Sequence, residues 1–218
     1  MPRDWRAQIE NLTPVGRLVH LAARYDAFDV EGIRGDLLRN MRAAYNDELN
    51  IQARRVGCDR TGGVREGSIL LKLNDRARWH AESIVNTYNY DLAIAIQHIR
   101  QETPTANRYT YVARLSVWDA NRAGWKDDQI TLMIEGDARI MAQQDFTAMN
   151  GLLDSGMARL EPRTAVCPIC QGWIDRGDVP IRVAMEHPAK WHVGCPHLWT
   201  FFYNKLPPDQ CRDLWMGE

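Results

Sequence analysis

No stretch of this chain approaches the run of about 18 apolar residues that crosses a bilayer, and its start, Met1-Pro-Arg-Asp-Trp-Arg, lacks the basic-then-apolar layout of a secretory signal. The expectation is a protein with no membrane association that acts in a cytosol-like compartment. Neither sign of charge is in excess: 27 Lys plus Arg against 28 Asp plus Glu leave a formal charge of −1. No global field therefore draws in nucleic acid, and any such binding needs a local patch. Catalytic signatures are missing too: there is no G-x-S-x-G, no H-E-x-x-H, no G-x-x-x-x-G-K-[ST] and no G-x-G-x-x-G. The Gly62-Gly63 pair has neither the Lys nor the preceding apolar strand of a phosphate loop, and reads as a flexible connector. Internal repeats, low-complexity tracts and sustained heptads are absent. What remains is an ordinary globular composition, 45% hydrophobic and 25% charged over 218 residues, enough for one large or two modest domains.

Cysteine is scarce, at five residues, yet three of them fall in one motif. Cys167-Pro-Ile-Cys170 is followed by His192-Val-Gly-Cys195, with His197 two residues further on. A C-x2-C half and an H-x2-C half are the spacing of a tetrahedral zinc site, because each tight turn presents two ligands to one ion. The expected set is Cys167, Cys170, His192 and Cys195, with His197 and His187 as alternates for the histidine. Four filled positions make a structural site, whereas catalytic zinc keeps a position open for water. In a reducing compartment the thiols favour zinc over disulfides, which leaves Cys58 and Cys211 as packed side chains.

The first two thirds read as helices. Thr13-Pro14 opens one, with Leu18, Leu21, Ala22 and Tyr25 on a stripe. Ile33, Leu37, Met41, Ala44, Tyr45 and Leu49 predict a second over about 30–55. Residues 58–74 read as an exposed loop or arm, with a short strand possible over Ser68–Leu73. A long helix is predicted from about 75 to 102, then helices over 107–124 and 127–150 separated by a short connector at Gly124–Lys126. Trp173-Ile174 and Ile181–Val183 around Asp175-Arg-Gly-Asp178 read as a hairpin, and His197–Asn204 as a final helix. Seven of the ten prolines lie beyond residue 160, which marks a change of organisation. The reading is mainly α: an antiparallel helical bundle with a small C-terminal α/β treble-clef-like zinc module. Its parts are N-terminal helices over 1–57, the arm over 58–74, a helical core over 75–156 and the zinc-binding module over 157–218.

The segments Ile134-Glu-Gly-Asp-Ala-Arg139, Asp145-Phe-Thr-Ala-Met-Asn150, Gly156-Met-Ala-Arg-Leu160, Cys167-Pro-Ile-Cys170 and His192-Val-Gly-Cys195-Pro-His197 together resemble the phage Mu F-like minor head proteins, the phage head morphogenesis family, over about residues 130–200. That family closes on a Cys-x-Cys where this chain has Cys195-x-His197, and its His-Pro dipeptide is matched by His187-Pro188. The resemblance implies a structural component of a tailed-phage head, not an enzyme, found in the virion and the host cytoplasm. Implied partners are portal or capsid proteins in an oligomeric assembly, with packaged DNA nearby. Two rivals stand beside it, both cytoplasmic: a zinc-stabilised nucleic-acid-binding regulator using Arg54, Arg55, Arg60 and Arg65 or Arg163, Arg176, Arg182 and Lys190, and an HNH-type nuclease. Acidic neighbours nearly cancel both basic groups. Eight tryptophans, among them Trp5 and Trp215 near the ends of the sequence, favour an interaction protein.

Overall fold

The computed structural model describes residues 30–59, 61–64, 67–161, 166–187 and 197–217. The helix expected from Pro14 and the ligands His192 and Cys195 lie outside these residues. Among the described residues the chain is mainly helical, with a small three-stranded antiparallel sheet. The elements run α1 (Val30–Arg55), α2 (Ser68–Glu102), α3 (Arg108–Met149), β1 (Gly156–Leu160), α4 (Pro168–Arg176), β2 (Val179–Pro180), α5 (Ile181–Glu186) and β3 (Trp199–Tyr203), then a 3-10 turn at Gln210–Asp213.

The chain divides into two compact units, one of Met1–Arg34 and Arg78–Asp128, the other of Gly35–Ala77 and Gln129–Glu218. In the first, the distal part of α2 and the start of α3 are joined by a short connector. Asn107 begins α3 by accepting the Tyr109 and Thr110 amides on its side chain at 3.0 and 3.1 Å. Arg114 bonds Thr103 at 3.1 Å and pairs with Glu102, and the Tyr88 and Trp118 rings lie 5.8 Å apart.

The second unit holds most of the described core. Of the predicted stripe, Met41, Ala44, Tyr45 and Leu49 are buried on α1 and Ile33 and Leu37 half-buried, and Ala53 joins the buried face. Ile134, Ala138, Ala142 and Phe146 of α3 are buried too, and the Tyr45 hydroxyl of α1 donates to Asp145 of α3 at 2.8 Å. The sheet order is β2-β1-β3, with Ala158 facing Val179 on one side and Phe201 on the other. Trp199, Phe201 and Tyr203 point inward by the strand period of two.

Several expected elements differ. Ser68–Leu73 is the first turn and a half of α2, not a strand, because Leu73 is buried and Lys72 reaches Asp145 of α3 at 2.8 Å. Residues 61–64 are not a flexible connector. The Gly62 amide donates to Asn50 and the Val64 amide to Asn46, each at 2.9 Å, and Val64 is wholly buried. No connector interrupts residues 124–126, since α3 runs unbroken through them. Each helical Gly costs only about 1 kcal/mol, and a 42-residue helix absorbs both Gly124 and Gly136. The hairpin expected over 173–183 is instead the helix pair α4 and α5: Gly177, at φ 70°, ends α4, so the residue read as a hairpin turn is a helix stop. The final helix expected over 197–204 is strand β3, whose Trp-Thr-Phe-Phe-Tyr run carries the aromatic bias of strands.

Candidate metal centre

Cys167 is the N-cap of α4, with Pro168 at the first helical position, where its missing N–H costs nothing. The Cys167 sulfur accepts the Cys170 amide at 3.4 Å, and the two Sγ atoms lie 3.4 Å apart as thiols. Cys170 is buried and Cys167 half-buried. Two ligands of a zinc tetrahedron with Zn–S of about 2.3 Å stand about 3.8 Å apart, so this pair fits one edge with a small outward movement.

The second half of the expected set, His192 and Cys195, lies outside the described residues. Of the alternates, His197 is fully buried just before β3. His187 is exposed at the end of α5, its ring 5.1 Å from that of Trp173, and its carbonyl accepts the Trp199 indole N–H at 2.9 Å. Among the described residues no three Cys, His, Asp or Glu side chains form a group able to hold a metal ion.

The basic side chains near the knuckle are engaged locally. Arg159 forms a two-pronged pair with Asp178 at 2.6 and 3.0 Å, and Arg182 does the same with Asp154 at 3.1 and 2.7 Å. These guanidiniums hold the Asp178 and Asp154 carboxyls below the usual carboxylate range. Arg176 stacks over Trp173 at 4.4 Å. Arg163, Lys190, Arg60 and Arg65 lie outside the described residues.

Cys58 and Cys211 are not separate packed thiols as expected: they form a disulfide across 153 residues, with Cα atoms 5.4 Å apart. The signal in the sequence was arithmetic, since two cysteines are left over once the knuckle takes three. The sequence also gave no warning of a buried polar cluster on the apolar stripes. Glu48 accepts Gln143 at 2.8 Å, hydrogen-bonds Gln52 and meets Arg139 at 3.4 Å, while Gln143 also donates to the Trp199 carbonyl at 3.0 Å.

In the first unit a cleft of about 490 Å³ is lined by Asp91, Ile94, His98, Glu102, Arg114 and Trp118. Arg114 is committed to Glu102 and holds that carboxyl below its usual range. No helix among the described residues is long and apolar enough to cross a membrane. No protein family, curated protein or solved structure matches this chain.

Proposed function

We propose that this protein is a structural assembly component of a tailed-phage head, a minor capsid or portal-associated protein, whose C-terminal part is stabilised by one zinc ion. The observation that carries the zinc half of this reading is the juxtaposition of Cys167 and Cys170, two thiols 3.4 Å apart at a helix start. Cys167 and Cys170 would hold the ion with His192 and Cys195, or with His197 or His187 in place of His192. The ion would supply cross-linking, substituting for core that a small module cannot build.

The assembly half rests on the resemblance over about 130–200 and on large apolar side chains left in solvent. Trp79 is 51% exposed, Tyr90 68%, Tyr109 59% and Val117 61%. Aromatic side chains of this kind anchor protein interfaces. A disulfide also suits a particle that ends its life outside the cell, where thiols oxidise. Local pairing of Arg159 and Arg182 with carboxylates weighs against a nucleic-acid-binding role for the knuckle region.

The test is sedimentation of purified particles from the lysate that produces the protein. Retention through a high-salt gradient in fixed ratio to the major shell protein supports the reading. Complete absence from particles sinks it and favours a zinc-stabilised soluble regulator.

A further inference from the structure

Residues 204–217 form a strap along the second unit. At one end the Asn204 amide donates to the Ser155 carbonyl at 2.6 Å, the Leu206 amide to the Val56 carbonyl at 2.8 Å, and the Lys205 ammonium to the Arg55 carbonyl at 3.1 Å. At the other end Leu214 and Met216 are buried, and Asn150 bonds the Trp215 backbone. Met216 lies against Gly62, and Gly217 against Leu49 and Val64, so the strap covers the end of the α1 core and the 61–64 loop. The Cys58–Cys211 bond sits between these two anchors. The two residues it joins are placed unequally: Cys58 is 2% exposed, whereas Cys211 is half-buried in the 3-10 turn between exposed Gln210 and Arg212.

We propose that this disulfide is a redox-operated latch on the strap, opened by thiols that enter at Cys211. A glutathione thiolate forms a bond to Cys211 Sγ as the S–S bond breaks, and the electron pair leaves on Cys58 Sγ, which takes up a proton. A second glutathione thiolate then attacks the mixed disulfide, giving oxidised glutathione and a Cys211 thiolate that is protonated from water. Two electrons pass from two glutathiones to the protein. Closure is the reverse, with oxidised glutathione as the oxidant. Burial blocks approach to Cys58, so the first adduct forms on Cys211. Opening leaves the strap held by its hydrogen bonds and by Met216. These are weaker restraints, and local opening of the segment becomes more frequent while the helical core stays folded.

The full-length protein is treated with reduced glutathione, quenched with iodoacetamide and mapped by peptide mass spectrometry, and amide exchange is followed in parallel. The expected results are a glutathione adduct on Cys211 in at least about tenfold excess over Cys58, and exchange at 204–217 faster by about tenfold or more with residues 41–53 of α1 within about twofold. Cys211→Ser should show the fast exchange with or without glutathione. An adduct mainly on Cys58, or strap exchange unchanged by reduction, overturns the latch. Equal acceleration in α1 also overturns it, since the bond would then brace the whole unit rather than gate one segment.

Discussion

Asn150 grips Trp215 from both sides of its backbone: the Trp215 amide donates to Asn150 Oδ1 at 2.7 Å, and Asn150 Nδ2 donates back to the Trp215 carbonyl at 3.2 Å. One side chain so meets both backbone polar groups of Trp215. Asn150→Ala removes both bonds and is expected to cost about 1–3 kcal/mol. Asn150→Asp keeps the acceptor alone and should fall between, as read by urea unfolding of the oxidised protein. Equal stability of all three proteins would remove Asn150 from any role in holding the strap.

Gly62 and Gly35 make opposite predictions for the same substitution. A Cβ on Gly62 would stand 2.3 Å from Met216 Cβ and 2.6 Å from its carbonyl oxygen, so Gly62→Ala must push the strap away. The expected loss is about 1–3 kcal/mol. On Gly35, inside α1, a Cβ meets nothing within 4 Å, and Gly35→Ala should add about 0.5–1 kcal/mol through helix propensity. Thermal melts of the two variants check both signs, and a harmless Gly62→Ala would mean that the strap does not lie where it is described.

Alkaline pH should destabilise the second unit through two tyrosines. Burial, with the charge and hydrogen bond of Asp145, pushes Tyr45 well above its ordinary value. Burial likewise raises Tyr203, against a smaller downward pull from its hydrogen bond with Thr147. A raised pKa in the folded state means that the stabilisation is full below the unfolded value of about 10 and is lost as pH rises beyond it. Each tyrosine then contributes about 1.4 kcal/mol of loss per pH unit. Unfolding free energy measured from pH 8 to 11.5 should fall less steeply above pH 10 in Tyr203→Phe than in the parent, and parallel curves would refute the assignment.

Metal analysis of protein purified without added chelator should return one zinc per chain, and Cys170→Ser should bring that well below one. Removing the ion should raise protease sensitivity of residues 161–198 and leave α1 protected, because the expected ligands all lie beyond residue 166. A metal-free protein with unchanged protease resistance would end the zinc proposal.

The parts legible in the sequence are those governed by local pattern. The bounds of α1 follow from apolar spacing, and the helix end expected at 102 and the start expected at 107 match the end of α2 and the start of α3. Where tertiary contacts decide, the local reading errs. The apolar run Ser68–Leu73 looks like a strand in isolation, yet it is helical, with Leu73 buried and Lys72 paired with Asp145 of α3. Asp175-Arg-Gly-Asp178 supports a hairpin turn or a helix stop equally, and the Cys167 cap with Pro168 tips it to the stop. Pairings across long intervals, β1 with β3 and Cys58 with Cys211, leave no periodic trace at all. The knuckle was the one site element visible from spacing, because metal-type spacing is itself local.

The discontinuity of the second unit has a consequence for biogenesis. Its two stretches, Gly35–Ala77 and Gln129–Glu218, are separated by the whole of Arg78–Asp128, and β1, the central strand, is made before either neighbour. The face of α1 bearing Met41, Tyr45 and Leu49 therefore leaves the ribosome long before α3 and the strap exist to cover it. Such late, non-local closure slows folding and prolongs exposure of apolar surface. During synthesis this chain is a natural client for chaperones, and its yield should respond to their supply more than that of a sequentially folding helical protein.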